Sequence, residues 1–348
     1  MEISIPKLPL PQAMPAGPVI VERSFPVGRE NYFRLFKSQS LVIDVTFRDD
    51  VVAPDSVSAH FENLAHNQSR LFEVALVSVT PRRFRVEMEV PYHGVNRFRI
   101  KYSQKGTWFW DCRPYSYFMV DPDHLRDFRI YTFIPNVNGH FGQWYDDFKR
   151  IRDLGFNTIH LLPLSRMGHS ESPYAAYDLF EVDPQLIDPK NPKTARAQLE
   201  DLVQFAKDCG LRLCFDLVFN SIGVDSSIRQ SRPEWLTEDA VEADGIKRGG
   251  WSDGKQFHKW MDLAYLNYDT PCSQLRKELW VYMSQYAQYW SSFASATGGM
   301  VRLDNLHSSH KAFVRRVLGE VREAFPDIIT FGELFETEPR IEDMVLDY

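Results

Sequence analysis

The sequence predicts an α/β protein: an incomplete parallel (β/α)8 barrel of the TIM type, preceded by a small antiparallel β-sandwich. Strand-like segments without intervening helices fill residues 19–122, and strand and helix patterns alternate over residues 123–348. Polar residues also follow the predicted strands of the second part, where barrel enzymes place their chemistry. A chain of 348 residues, 44% of them hydrophobic, can bury the cores of two such domains.

The first predicted domain is an immunoglobulin-like β-sandwich over residues 19–122, after an irregular, proline-rich tail at residues 1–18. Segments 41–47, 84–90 and 98–102 are rich in β-branched and aromatic residues, and the last two alternate between apolar and polar residues. Clusters of Gly, Pro, Asn and Asp separate them, as is typical of short antiparallel strands.

The second predicted domain alternates strands with amphipathic helices, whose apolar residues recur three and four apart. Gly210 follows the second helix as a C-terminal cap. His160 lies inside an apolar strand and is interpreted as a core residue, and residues 219–270 are assigned to a long loop. The predicted strands are 129–134, 157–162, 211–218, 300–303 and 328–331, and the predicted helices are 143–154, 194–209, 273–295 and 308–324.

Parallel strands in this pattern form either an open doubly wound sheet or an eight-stranded barrel. The sequence ends at Tyr348, about three β/α units before a barrel would close. An unclosed barrel exposes strand edges and part of its core. We therefore expect a missing C-terminal segment or a partner chain to complete the barrel.

Two short apolar segments near the C-terminal end each lead to a carboxylate. Side chains alternate along a strand, so Arg302 and Asp304 share a face, and the arginine is expected to keep Asp304 ionised, as suits a nucleophile. Glu333 follows an apolar strand, and such surroundings raise the pKa of a carboxyl group, as suits a proton donor. A charged carboxylate beside a protonatable carboxyl group provides the nucleophile and the general acid that cleavage of a glycosidic bond requires.

The segments around these residues resemble the α-amylase family of glycoside hydrolases and transglycosylases, over roughly residues 129–340. The amino-acid sequence of these segments is most similar to that of the glucanotransferase part of glycogen debranching enzymes. The resemblance implies a glycosidase or 4-α-glucanotransferase that acts on α-1,4-glucans with retention, by double displacement. The segments that carry it are RLDNLHS at 302–308, GELF at 332–335, IHLLPL at 159–164 and SPY at 172–174.

The resemblance also implies a role for each candidate residue. Asp304 is the nucleophile, Glu333 is the general acid and base, and Arg302 orients Asp304. Retaining enzymes hold such carboxyl groups about 5–5.5 Å apart. The residues implied to bind the sugar are Asp216, Asn220, Tyr174, Asp178 and His307.

Two departures from the family pattern favour an alternative function. Ser221 stands where the family usually has a histidine, after Asn220. The family motif with a third catalytic carboxylate, which stabilises the transition state, does not follow Glu333. Weak or absent hydrolysis by this chain alone is therefore expected, and the alternative is a catalytically inactive, amylase-like glucan-binding or scaffold protein.

Composition and charge limit the partners to expect beyond an α-glucan. The net charge of −7 without a basic stripe predicts no nucleic-acid partner. The sequence shows no membrane-spanning segment and no secretory signal, so a cytoplasmic location is expected. Some family members bind calcium through the asparagine that corresponds to Asn220. No oxygen-rich cluster supports calcium here, so neither a metal nor a cofactor is expected.

Overall fold

The computed structural model describes residues 19–25, 33–64, 70–111, 115–123, 128–252 and 255–335. The predicted tail at residues 1–18 lies outside the described residues. The chain divides into two compact units. One consists of Met1–Glu62 and Leu71–Asp121, and the other of Asn63–Arg70 and Pro122–Tyr348.

The first unit is built from β-strands around an aromatic core. The ring of Phe98 lies 5.3 Å from that of Phe61 and 6.1 Å from that of Phe118, between centroids. All three side chains are fully buried, and the strands that carry them alternate buried and partly exposed residues. The strands are β1 (Val19–Phe25), β2 (Phe33–Phe36), β3 (Ser40–Phe47), β4 (Ser56–Asn63), β5 (Arg70–Thr80), β6 (Arg83–Glu89), β7 (Gly94–Gln104), β8 (Thr107–Trp110) and β9 (Ser116–Asp121).

These strands follow the order β1-β3-β6-β5-β4-β7-β9-β2, with β8 paired to β7. The pairs β3–β6, β5–β6, β7–β8 and β7–β9 are antiparallel, but β1–β3 and β2–β9 are parallel. The expectation of a purely antiparallel unit was therefore wrong at both ends of the order. The physical reason is that side chains alternate with period two in either direction, so the sequence pattern carries no signal for strand direction.

The second unit contains a parallel sheet of five strands in the order β10-β11-β14-β18-β19. All five predicted strands and all four predicted helices are present, with ends shifted by a few residues. The strands are β10 (Ile130–Phe133), β11 (Thr158–Leu161), β14 (Arg212–Leu217), β18 (Met300–Leu303) and β19 (Ile329–Gly332). The helices between them are α1 (Phe141–Asp153), α2 (Ala195–Asp208), α4 (Ser273–Ala296) and α5 (Lys311–Ala324).

Helix α2 shows how the sequence sets its own ends. Thr194 precedes the helix, and its Oγ1 accepts a hydrogen bond from the backbone N–H of Ala197 at 3.3 Å. Leu199 and Leu202 are fully buried on the stripe that faces the sheet. Gly210, two residues past the end of the helix, adopts a φ of 71°, which residues other than glycine rarely adopt.

The two faces of the parallel sheet differ in character. The helix-covered face is large and apolar, with Trp144 of α1 against Phe133 of β10 at 4.9 Å between ring centroids. On the other face, Cys214, Met300 and Ile329 form a small buried cluster. Side chains two residues further along a strand return to the same face. That face therefore becomes polar toward the carboxyl ends of the strands, where the predicted site residues lie.

Residues 219–270 are not a loop, contrary to the sequence interpretation. Their described part forms a three-stranded antiparallel sheet in the order β15-β17-β16, with a short α-helix and a 3-10 helix at Pro233–Trp235. Most residues of 257–261 are exposed, and the pairing shifts register between Arg248 and Gly249, so the pattern lacks the alternation that identifies a strand. The elements are β15 (Ser221–Gly223), α3 (Ser227–Ser231), β16 (Arg248–Ser252) and β17 (Phe257–Tyr265), and a second hairpin consists of β12 (Ser165–Met167) and β13 (Ala176–Val182).

Candidate active site

The two candidate catalytic carboxylates directly follow neighbouring strands. Asp304 follows β18, and its backbone N–H donates to Leu217 O at 2.9 Å. Glu333 follows β19, and its backbone N–H donates to Leu303 O at 3.0 Å. The hydrogen bonds between strands thus continue past both strand ends, which fixes the backbone of both residues on one edge of the sheet.

Arg302 binds three carboxylates at this edge. Its Nη1 lies 2.5 Å from Asp216 Oδ2 and 3.1 Å from Asp304 Oδ1, and its Nη2 lies 2.8 Å from Glu333 Oε2. Asp216 and Arg302 are register partners on β14 and β18, so they point to the same face. The predicted pairing of Arg302 with Asp304 is present, and it is one of three.

The pKa of Asp304 lies opposite to the expectation from the sequence. Burial raises it to about 7, and the neighbouring negative charges of Asp216 and Glu333 act in the same direction. Arg302 lowers it, but one guanidinium divides its charge among three carboxylates. The sequence predicted an arginine that keeps Asp304 ionised, but it did not reveal that Asp216 and Glu333 share the same arginine.

Asp216 is the most enclosed of the three carboxylates, with a side chain that is 0% exposed. Its Oδ2 accepts a hydrogen bond from the Tyr174 hydroxyl at 3.2 Å and lies 3.3 Å from His160 Nε2. Burial, and then the charge of Asp216, raise the pKa of Tyr174 well above its usual range, so this hydroxyl remains a donor. Oδ1 of Asp216 has no hydrogen-bond partner among the described residues. That oxygen is itself buried, so Asp216 influences the site through Tyr174, His160 and Arg302.

His160 is a site residue that the sequence interpretation assigned to the core. It pairs in register with Cys214 on one side and with Thr132 on the other, which places it on the polar face of the sheet. Its Nδ1 lies 3.3 Å from Thr132 Oγ1, while its Nε2 faces Asp216. The sequence offered one signal for this role, a histidine between two apolar residues of a strand. It could not show which face of the sheet the histidine occupies.

The turn after Asp304 is held from two sides. Asn305 adopts the left-handed conformation, with φ 50° and ψ 45°, and its backbone N–H donates to Glu333 Oε2 at 3.0 Å. Asn220 Nδ2 donates to Asn305 O at 3.0 Å and to Ser308 Oγ at 3.2 Å. The amide of Asn220 therefore positions the turn beside Asp304.

The other two predicted sugar-binding residues differ in their surroundings. His307 lies on the same turn as Asn305, and its Nδ1 accepts a hydrogen bond from the backbone N–H of Phe335 at 3.4 Å. Asp178 is not brought into the carboxylate cluster. It accepts hydrogen bonds from the backbone N–H groups of Phe180 and Glu181, at 2.9 and 3.1 Å, and from Ser227 Oγ at 3.3 Å. These bonds explain Asp178 as a residue that shapes the β13 segment.

The described residues were compared with the requirements of a metal site and of a membrane-spanning helix. No group of three or more His, Cys, Asp or Glu side chains there could hold a metal ion. None of the helices described there combines the length and the apolar composition that crossing a membrane requires. The cytoplasmic location stays a prediction.

Comparisons with known proteins bear on the resemblance seen in the sequence. Residues 124–237 match the family model of the glycogen debranching enzyme, glucanotransferase domain. An α-1,4-glucan:maltose-1-phosphate maltosyltransferase of Salinibacter ruber is 25% identical over 245 residues, which cover 64% of this chain and 35% of the relative. A cyclomaltodextrinase of Thermoanaerobacter pseudethanolicus is 27% identical over 201 residues, covering 55% of this chain and 32% of the relative.

A solved structure of a cyclomaltodextrinase has a TM-score of 0.51 at 18% identity and covers 88% of this chain and 59% of that chain, so the two share a fold. The chain spans about a third of the length of the two curated relatives, 35% and 32%. These comparisons confirm the predicted resemblance to amylase-family proteins.

Proposed function

We propose that this amylase-related chain is the catalytic part of a retaining glycoside hydrolase or transglycosylase that acts on α-1,4-linked glucans. The observation that carries the proposal is that Asp304 and Glu333 bind Nη1 and Nη2 of one guanidinium, that of Arg302. Two carboxyl groups bound to one guanidinium can flank one sugar ring, and the retaining mechanism corresponds to a separation of about 5–5.5 Å between them. The printed names of the relatives, a maltosyltransferase and a cyclomaltodextrinase, support a glucan as the substrate.

In the first step, a carboxylate oxygen of Asp304 attacks the anomeric carbon while Glu333 protonates the departing glycosidic oxygen. The products of this step are a glycosyl ester on Asp304 and a free sugar hydroxyl. In the second step, ionised Glu333 removes a proton from water or from an acceptor hydroxyl. The oxygen of that group then attacks the anomeric carbon and releases Asp304.

The shared arginine makes the position of the proton part of the mechanism. Attack requires ionised Asp304 and protonated Glu333, yet the pKa of Asp304 is raised to about 7 without a sugar present. Burial and the neighbouring charges of Asp216 and Glu333 favour a proton on Asp304. The first step therefore requires that Asp304 be ionised when the sugar is bound.

Sugar binding falls to the residues around Asp216. Asp216 is closed off from solvent and accepts the Tyr174 hydroxyl, and it thereby holds the Tyr174 ring, which can pack on a pyranose face. We assign Asn220 and His307 to positioning of the turn that follows Asp304, and we leave Asp178 out of the sugar contacts.

We also propose that further strands pair with this sheet. β10 and β19 are its outer strands, and outer strands of parallel sheets are normally covered or paired. A further segment or a second chain would supply these strands.

The second candidate function is a glucan-binding protein without catalysis. Ser221 stands in place of a sugar-contacting histidine of the family, and the raised pKa of Asp304 opposes its ionisation. Both observations weaken transition-state stabilisation while leaving room for a bound glucan.

Incubation with maltoheptaose separates these functions. Transfer gives both longer and shorter oligomers, and hydrolysis gives only shorter ones. Asp304→Asn should abolish either pattern while retaining glucan binding. If the wild-type chain gives no product yet binds maltoheptaose as well as Asp304→Asn does, the binding-protein function stands.

A further inference from the structure

The hairpin of β16 and β17 carries aromatic side chains on one face: Trp251, His258 and Trp260, here called the hairpin aromatic face. Trp251 is the register partner of His258, and Gly249 is that of Trp260. Directly opposed residues of an antiparallel pair share a face, and so do residues two apart on one strand. The rings of Trp251 and His258 stack at 4.6 Å between centroids, with an interplanar angle of 18°.

This face is open to solvent. Trp251 is 50% exposed and Trp260 is 38% exposed. Opposite Trp260 stands Gly249, where a Cβ would lie 3.4 Å from Trp260 Cε3, so no cross-strand side chain covers that indole. Adjacent exposed indoles are uncommon on a protein surface and mark places where a ligand or partner binds.

The hairpin is continuous with the candidate active site. Tyr265, the last residue of β17, is the register partner of Ser221, and the backbone N–H of Leu266 donates to Asn220 O at 3.0 Å. Trp260 lies five residues before Tyr265, hence at most about 17 Å along the strand. His258 lies at most about 24 Å away by the same measure. Both lengths, counted from Tyr265, are within the reach of a glucan of several sugar units.

The chemistry of the face fits an uncharged polymer. Indole and imidazole rings offer flat surfaces for the C–H faces of pyranoses. Lys259 belongs to the opposite face, where its ammonium group pairs with Glu242, so it does not lend its charge to the aromatic rings. We propose that the hairpin aromatic face binds a remote part of the α-glucan whose cleaved bond lies at Asp304, and this inference rests on the proposed function.

The opposite face of the same hairpin supplies a matched control. Phe257 pairs with Ser252, is 55% exposed, and covers Gly250 on that face. Its removal deletes an equally exposed aromatic ring from the same strands without touching the hairpin aromatic face.

The test measures binding of the full chain to glycogen by affinity electrophoresis and binding to maltotriose by calorimetry. The double variant Trp251→Ala, Trp260→Ala should bind glycogen roughly tenfold more weakly and bind maltotriose unchanged. Phe257→Ala should bind both like the wild-type chain. Thermal melts of all three proteins establish that each is folded.

Equal glycogen binding by the double variant and the wild-type chain overturns the inference, and so does an equal loss in Phe257→Ala. Light scattering that shows a dimer dissolved by the double substitution would assign the face to a second copy of the chain instead. Failure of the proposed function looks different. The wild-type chain would then bind glycogen through these tryptophans but release no product.

Discussion

Arg302 lies closer to Asp216 than to either proposed catalytic carboxylate. The distance from Nη1 to Asp216 Oδ2 is 2.5 Å, against 3.1 Å to Asp304 Oδ1, and Asp216 is the more deeply buried of the two acids. The guanidinium of Arg302 therefore stabilises chiefly the charge of Asp216, the carboxylate that is closed off from water. Asp304 is stabilised less by Arg302. Burial and its negative neighbours therefore outweigh the arginine and raise the pKa of Asp304 to about 7.

Asp216→Asn should lower the pKa of Asp304. The substitution removes one negative neighbour and leaves more of the charge of Arg302 to Asp304, and removal of a nearby like charge shifts a pKa by about one unit or more. The pKa can be measured by NMR of the Asp304 carboxyl carbon, with Asp178→Asn as the control acid outside the cluster. An unchanged Asp304 pKa in Asp216→Asn would contradict the shared-arginine explanation.

Asp304→Asn should stabilise the folded chain at neutral and alkaline pH. The folded-state pKa of about 7 exceeds the ordinary 3.8, so folding favours protonated Asp304. The stability linked to this group is complete below about pH 4 and is lost as the pH rises through about 7. The neutral amide avoids that loss, which is on the order of a few kcal/mol at pH 8. Urea unfolding of both proteins at pH 4.5 and pH 8 measures the difference. A variant that is less stable than the wild-type chain at pH 8 would argue against a buried, proton-retaining Asp304.

His160→Ala should weaken the site through Asp216. Loss of Nε2 removes one of the groups that contact Asp216 Oδ2, and a buried acceptor that loses a donor costs about 1–3 kcal/mol. His160→Gln can still donate a hydrogen bond and should recover part of the loss. Product formation from maltoheptaose and the thermal midpoint report the two effects. If His160→Ala matches the wild-type chain in both, His160 is an ordinary packed residue, as the sequence interpretation held.

Substitutions at Asn305 test the turn between the two carboxylates. The φ of 50° suits Asn or Gly, so Asn305→Gly should keep the turn, while Asn305→Val should cost about 1–3 kcal/mol of stability. Because the Asn305 N–H holds Glu333 Oε2, the valine variant should also lose activity. Thermal melts and maltoheptaose assays of the pair provide the comparison. Equal behaviour of the two variants would show that the turn conformation is unimportant.

The sequence predicted the parts of this site that depend on one strand at a time. Period-two alternation placed Arg302 beside Asp304, and the ends of apolar segments placed Asp304 and Glu333 after their strands. Contacts between strands could not be read this way. The register of Asp216 with Arg302, and of His160 with Cys214, exists only in the folded sheet, and the first pairing brings a second carboxylate to the arginine beside Asp304.

The β15-β17-β16 sheet was missed for a different reason. The hairpin end of this sheet leaves Trp251, Phe257 and Trp260 exposed on both faces, whereas β15 is buried throughout. Neither part shows the alternation of buried and exposed residues that identifies a strand. The missed hairpin is also the part that carries the proposed second contact with the glucan.

The most direct test of the central claim is to trap the glycosyl-enzyme. The chain is incubated with an activated fluorinated α-glucosyl donor, digested and analysed by mass spectrometry. We expect one glycosyl unit, attached as an ester to Asp304 and absent from Asp304→Asn. A label on another residue, or turnover of the donor with inversion at the anomeric carbon, would contradict it.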